Sequence, residues 1–267
     1  MNVAVAHSEM QTVVRGKGGP FLRLDNVSRH FGTLKAVDAV SFDMAAGELR
    51  AVIGPNGAGK TTFFNLISGL LPPTSGEVVF EGETITQQTI VKRVAKGIVR
   101  TFQITEILPD LTVYENIRVG VETAARVNAK PWISREERVV IRRRVEELID
   151  TVDLNGKVNR VVGEMAHGDQ RVVEVAVALA VKPRLLLLDE PTAGMGDHET
   201  DHMVGLIRKL HTEQGMSILF IEHDMDIVFG IAQRITVLDQ GRVLAEGTPD
   251  AISIDAKVRA AYLGTIE

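Results

Sequence analysis

Leu49-Arg50-Ala51-Val52-Ile53-Gly54-Pro55-Asn56-Gly57-Ala58-Gly59-Lys60-Thr61-Thr62 is the stretch on which the reading of the fold turns. An apolar strand runs into a glycine-rich loop of the form G-x-x-x-x-G-K-[ST], and a helical run, Phe63 to Leu70, follows it. Glycines let a backbone wrap closely around a phosphate chain. Several amide hydrogens and the positive end of the next helix then point at negative oxygens. Lys60 supplies a point charge for β and γ phosphates, and Thr61 a hydroxyl ligand for Mg2+. A chance glycine-rich turn would lack the strand before it and the helix after it.

Two further runs share the character of Leu49 to Ile53. Leu185 to Leu188 leads into Asp189-Glu190-Pro191, and Ile218 to Ile221 leads into Glu222-His223-Asp224. Each run is apolar on successive residues, as expected for strands buried on both faces. Their alternation with helical patterns implies an α/β fold, a mostly parallel sheet flanked by helices, with its chemistry at the carboxyl ends of the strands. There Asp189 can hold Mg2+, usually through water, while Glu190 polarises an attacking water. His223 can hydrogen-bond a γ-phosphate or that water. Gln103, in Arg100-Thr101-Phe102-Gln103, has an amide that can reach Mg2+ or water. A lone histidine or glutamine is equally an ordinary surface residue, so these two need further support.

From about Leu108 to Glu164 the pattern turns helical, which implies an inserted helical subdomain over 108–164. Its clearest helix begins at Ser134, which forms a capping box with Glu137. The apolar face is Ile141, Val145, Leu148, Ile149 and Val152. The basic run Arg142-Arg143-Arg144 reads as a solvated face, because Glu146 and Glu147 stand four residues after Arg142 and Arg143.

Composition removes several classes of function. A chain of 267 residues, 45% hydrophobic and 24% charged, is long and apolar enough to bury a core. With no cysteine, it has no disulfide, thiolate metal site or cysteine nucleophile. A net charge of −5 is the wrong sign for a broad nucleic-acid face, so no nucleic-acid partner is expected. No apolar run approaches the roughly 18 to 20 residues of a membrane-spanning helix. Val3 to Ala6 is shorter than a signal-peptide core of about 7 to 15 residues. Residues 1–20, with Gly16, Gly18, Gly19 and Pro20, read as a flexible arm.

In chain order the motifs are Phe31, the Gly54 loop, Gln103, Met165-Ala166-His167-Gly168-Asp169-Gln170-Arg171, Asp189-Glu190 and His223. This order resembles that of the nucleotide-binding subunits of ABC transporters across 21–267. The resemblance implies a P-loop NTPase (RecA-like) core with an N-terminal antiparallel β subdomain and the inserted helical subdomain. It also implies ATP and Mg2+ as cofactors and ATP hydrolysis coupled to transport. Phe31 would stack on adenine. Gly54, Asn56, Gly57, Ala58, Gly59, Lys60, Thr61 and Thr62 would bind phosphates, with Thr61, Gln103 and Asp189 at the metal. Glu190 would be the general base, His223 the γ-phosphate sensor, and Gln103 the link to the membrane partner.

In this family two subunits meet head to tail, so Ala166, Gly168 and Asp169 of one would close over the ATP of the other. The implied partners are a second, identical or homologous ATPase, transmembrane permease subunits and, indirectly, a solute-binding protein, at the cytoplasmic face of the inner membrane. Two positions depart from the pattern. Ala166 stands where the signature has serine, with His167 beside it as a possible substitute contact, and Gly196 stands where the loop after Glu190 has aspartate. The signature segment, Ala193-Gly194-Met195 with Glu199-Thr200, Val113 to Asn116 and Ala261 to Gly264 resemble importers of branched-chain amino acids, urea and related solutes. Branched-chain amino acids come first, with urea, amides and aromatic acids behind. Two rivals remain: a soluble ABC ATPase acting on nucleic acid or ribosomes, and a zinc hydrolase using His198-Glu199-Thr200-Asp201-His202, which matches H-E-x-x-H. The first usually carries two nucleotide domains or a long coiled coil, neither present here, and the second falls at an expected helix start.

Overall fold

A computed structural model describes residues 19–101, 107–125, 127 and 132–263. Gln103 and the arm before Gly19 lie outside the described residues. In chain order the elements are β1 (Leu22–Phe31), β2 (Leu34–Met44), β3 (Leu49–Ile53), α1 (Lys60–Ser68), β4 (Ser75–Phe80), β5 (Glu83–Thr84), α2 (Ile90–Ala95) and β6 (Ile98–Arg100). They continue with α3 (Val113–Ala124), α4 (Arg135–Thr151), α5 (His167–Leu179), β7 (Leu185–Asp189), α6 (Asp197–Gln214) and β8 (Ser217–Ile221). The chain closes with α7 (Met225–Ile231), β9 (Arg234–Asp239), β10 (Arg242–Gly247), α8 (Pro249–Ser253) and α9 (Ala256–Leu263).

Two sheets form. One is antiparallel, in the order β2-β1-β4-β5; the other has the order β10-β9-β3-β8-β7-β6. In the second, every neighbouring pair is parallel except the β9–β10 hairpin at its edge. Its strands feed two separate cores. Leu49, Ala51 and Ile53, with Leu186, Leu188, Ile218 and Phe220, join the core under α3 to α6. Val52, Leu185, Leu187, Leu219 and Ile221 join the core shared with α1 and the antiparallel sheet. Because both faces are covered, alternate residues along a strand are all apolar, which is why these runs show no polar alternation.

One residue in the runs breaks that rule. Arg50 is buried at 2% exposure, where its Nε donates to Glu48 at 2.6 Å and its Nη1 to Glu246 at 3.2 Å. Its guanidinium also lies 4.8 Å from the centre of the Phe42 ring. A buried cation is tolerable only when paired in this way. Arg93, fully buried, is matched differently. It donates to the carbonyls of Leu66, Ile67, Thr86 and Gln88, and so closes the C-terminal end of α1.

The segment from 107 to 164 holds α3 and α4, and its described residues add one isolated bridge, Thr112 to Val161. The Ser134–Glu137 capping box forms at the start of α4, and a second, Thr112–Glu115, starts α3. Ile141, Val145, Leu148 and Ile149 are buried. Of the basic run, Arg143 pairs with Glu147 at 3.1 Å, whereas Arg144 reaches both Glu147 and the carbonyl of Leu179. α1 begins at Lys60 rather than Phe63 and ends at Ser68, because Gly69 takes a left-handed conformation there.

On α5, burial pushes the carboxyl of Glu174 up to about 7, against the opposing pull of Arg171. An acid whose pKa rises on folding disfavours the fold once it ionises. The penalty is absent below about pH 4.5, grows as pH rises, and is complete above about 7. Glu174→Gln should therefore raise stability by about 2 kcal/mol at pH 8, with the gain shrinking toward zero as pH falls to 4.5. Denaturant titrations at several pH values check this. A gain that does not change with pH would contradict it.

Candidate active site

The loop Gly54–Thr62 leaves β3 through a passage too narrow for side chains. Gly54 has φ +152, and a Cβ there would lie 2.1 Å from the carbonyl oxygen of Leu238 in β9. Gly59 has φ +98, and its Cβ would lie 2.3 Å from the carbonyl of Ala36 in β2. The turn between β9 and β10 adds a clamp: Gly241 N donates to Ala58 O at 3.0 Å, and Asp38 N donates to Gly241 O at 2.8 Å. Both sheets thus grip the loop. From the C-terminal end of the chain, the Tyr262 hydroxyl meets the backbone of Gly54, and burial pushes its pKa up to about 12.

Within this cradle Gly59 is the N-cap of α1 and offers no side-chain cap, so the first amides of the helix remain available to an anion. Lys60 is buried, and its ammonium donates to Gly54 O at 2.6 Å and Pro55 O at 3.1 Å. Burial lowers its pKa, while the nearby carboxylates of Glu190 and Asp189 act to raise it. A desolvated cation ringed by carbonyls and backed by free amides fits a phosphate chain. Asn56, Gly57 and Thr61 are exposed around it, and Ala58 is buried beneath.

The second half of the site follows from strand register. In the parallel β7–β8 pair, Asp189 stands opposite Ile221, so Glu190 and the Glu222-His223 segment leave the sheet side by side. Glu190 N donates to Ile221 O at 3.0 Å, and Glu190 takes φ +50, a left-handed conformation costly to a residue with a Cβ. The outcome is a direct contact between Glu190 Oε1 and His223 Nε2 at 2.9 Å.

Sequence reasoning missed the residues that hold this pair in place. Glu222 is buried. One of its oxygens accepts from Thr192 N at 2.9 Å and Thr192 Oγ1 at 2.6 Å, and the other from His223 N at 3.2 Å. Arg100, only 1% exposed, donates to Asp189 Oδ2 and to Asn65 Oδ1 of α1, which ties the carboxylate to the helix behind the loop. An acid next to a histidine was a visible signal for Glu222. Nothing local marks Arg100, because its partners are distant in sequence.

The structure brings Lys60, Asp189, Glu190 and His223 together. Phe31 ends β1 half-exposed, with the Arg29 guanidinium 4.7 Å from its ring centre. Ala166, Gly168 and Asp169 sit at the start of α5, and among the described residues no hydrogen bond joins them to Gly54–Thr62. Asp169 is held by Lys157 Nζ at 2.6 and 2.7 Å, and His167 accepts from Arg171 Nε at 3.3 Å. On α6, Glu199 of the H-E-x-x-H match faces backbone amides. No group of three or more histidines and carboxylates suited to a metal occurs among the described residues.

A glycine-rich loop gripped at the carboxyl edge of a parallel sheet, facing a carboxylate and a histidine, defines a P-loop ATPase. The ABC transporter family profile matches residues 37–193, and a profile for branched-chain amino acid ATP-binding cassette transporters matches 242–267. The chain belongs to the ABC transporter family, as one of its ATP-hydrolysing cassettes. It is 38% identical over 251 residues to the high-affinity branched-chain amino acid transport ATP-binding protein BraF of Pseudomonas aeruginosa, covering 92% of this chain and 98% of that one. Among solved structures it is similar to the ADP conformation of an ATP-binding cassette, with TM-score 0.79, 31% identity, and 91% and 98% of the two chains covered. A dimeric, post-hydrolysis cassette bound to ADP and Pi matches with TM-score 0.70, 27% identity, and 85% and 98% covered.

Gly59→Ala should abolish nucleotide binding, because the added methyl must displace either the loop or the Ala36 carbonyl of β2. Binding of a fluorescent ATP analogue checks this. Gly57→Ala, whose methyl meets open space, should retain more of the binding although φ there is +79.

Proposed function

We propose that this chain powers the import of branched-chain amino acids by hydrolysing ATP at a site shared between two cassettes. It would act as a peripheral subunit on the cytoplasmic face of the inner membrane. The observation that carries the catalytic reading is the 2.9 Å contact between Glu190 and His223, held beside the buried ammonium of Lys60. Likeness to BraF over nearly the whole chain, together with the match at 242–267, supports the choice of solute.

In this reading the loop amides and Lys60 bind the β and γ phosphates, and Phe31 offers its ring to the adenine. Thr61 and Asp189 present only oxygen donors, which suits a hard divalent cation, and Gln103 would complete that set. Mg2+, when bound, would neutralise charge on the phosphate oxygens. Glu190 accepts a proton from the attacking water, and His223 orients the Glu190 carboxylate while facing the γ-phosphate. The strained backbone of Glu190, fixed by β8, keeps the base in place instead of letting it relax toward Lys60.

ATP seated on one chain is completed by Ala166, Gly168 and Asp169 of the second, in a head-to-tail dimer that closes on binding and opens after hydrolysis. A dimeric cassette among the similar structures supports that arrangement. The helical segment 108–164 is the inserted subdomain, with Leu108, Val119, Trp132, Val139 and Val140 exposed on or beside it for contact with a permease. Trp132, at 85% exposure, is the plainest of these.

Glu190→Gln should leave ATP affinity within about twofold of the parent, lower turnover at least about a hundredfold and accumulate an ATP-dependent dimer, since only the proton acceptor is lost. Turnover assays with sedimentation check both halves, and unchanged turnover overturns the assignment. Lys60→Ala should instead weaken nucleotide binding by about tenfold or more. Normal affinity in that variant counts against the loop's role. Transport of radiolabelled leucine, with urea as the rival, by the reconstituted complex tests the solute.

A further inference from the structure

The two departures from the family pattern, Ala166 and Gly196, share one neighbour. Ala166 occupies the N-cap of α5 with φ −59 and ψ 152, a conformation suited to capping, yet its methyl cannot accept a hydrogen bond. Gly196 occupies the N-cap of α6 and likewise has no side chain to offer. Glu199 reaches both places. Its Oε1 accepts from Gly168 N at 3.1 Å, in the first turn of α5, and its Oε2 accepts from Gly196 N at 3.2 Å. The carboxylate thus bridges the N-termini of two helices, where a negative charge is favoured.

The fit is close enough to dictate sequence. A Cβ on Gly168 would lie 2.7 Å from Glu199 Cβ and Cδ and 2.8 Å from its Oε1, so only glycine permits the bridge. A second contact runs parallel to it, because the His167 ring lies against Gly194, where a Cβ would stand 3.7 Å from His167 Cδ2. The start of α5 is therefore attached to the segment that follows Glu190.

We propose that Glu199 is a positioning residue of the shared ATP site. Its Oε1 supplies the acceptor that Ala166 lacks for the first turn of α5, its Oε2 satisfies the Gly196 amide at the start of α6, and together they hold the signature segment in register with the Glu190 loop. It touches neither ATP nor water in this role, and it acts through Gly168. This rests on the head-to-tail reading above. If Glu199 sets the position of α5, its loss is felt when two chains close on ATP. It is not felt when one chain binds nucleotide at its own loop, because no described hydrogen bond joins α5 to Gly54–Thr62.

The test uses the full chain carrying Glu190→Gln, with ATP-dependent dimerisation followed by sedimentation and nucleotide binding to the dilute monomer followed by fluorescence. Adding Glu199→Ala should raise the ATP concentration for half-dimerisation at least about tenfold, since a lost hydrogen bond to a charged acceptor is worth roughly a factor of ten or more. Monomer affinity should stay within about twofold. Ala166→Ser, which gives the Gly168 amide a local acceptor but no tie to α6, should recover only part of the dimerisation. Should Glu199→Ala fold poorly, Glu199→Gln, which keeps the shape but one acceptor fewer, should give an intermediate loss. Unchanged or tighter dimerisation, full repair by Ala166→Ser, or a parallel loss of monomer affinity overturns the proposal. A parent that forms no dimer with ATP overturns the shared-site reading and this proposal with it.

Discussion

Burial of both faces of the parallel sheet is the constraint on which everything else rests. With helices α3 to α6 on one side and α1 with the antiparallel sheet on the other, strands β3, β7 and β8 are apolar along most of their length, the paired Arg50 of β3 excepted. Polar chemistry can emerge only at their carboxyl ends. Because the strands are parallel and adjacent, three such ends arrive together, and the Asp189–Ile221 register sets Glu190 against His223 to within a hydrogen bond. A slip of two residues in that pairing would keep every face buried but move the histidine by roughly 6 to 7 Å, beyond contact. Buried polar anchors exclude the slip. Glu222 satisfies Thr192 and His223 from inside the fold, and any shift would strand a desolvated carboxylate.

Charge is arranged to the same end. Lys60 and Arg100 are both buried, both lie near Asp189, and their partners differ. Arg100 is matched by a carboxylate and by the Asn65 side chain, so it is structural ballast for the strand end. Lys60 has only carbonyls as hydrogen-bond partners. An ammonium held by neutral oxygens keeps more of its attraction for an incoming anion than one already neutralised by a salt bridge. The same comparison explains why the loop is glycine-rich at Gly54 and Gly59 in particular. At those points the carbonyls of β9 and β2 approach too closely for a Cβ, and the loop's shape is imposed by the two sheets around it.

Much of this was legible in the sequence, because the strongest signals are local. The glycine loop, the three strand ends and the Ser134–Glu137 cap each involve residues within a few positions of one another, and all were found where the pattern puts them. What escaped was set by topology. The β9–β10 hairpin that clamps the loop carries no motif. Arg50 stands inside a run read as apolar throughout, and Glu48, Glu246 and Phe42 make it a core residue. Arg100 and Tyr262, and Glu222 in its bonds to Thr192, act through partners between 30 and more than 200 positions away. Gln103, which the sequence does mark, falls outside the described residues.

The H-E-x-x-H match shows why a local pattern needs the fold to interpret it. Two histidines one turn apart on a helix can hold zinc, but hydrolysis also needs the glutamate between them free to act on a bound water. Here that glutamate is turned onto the amides of Gly168 and Gly196, at the start of a helix whose neighbour lacks its own cap. A helix N-terminus requires an acceptor and is indifferent to which residue supplies it. Once serine is missing from the N-cap of α5, an acid three residues into α6 supplies that acceptor while also satisfying the Gly196 amide. What reads as a weakened signature and a metal motif, taken separately, is in the fold a single hydrogen-bonded connection between the starts of α5 and α6.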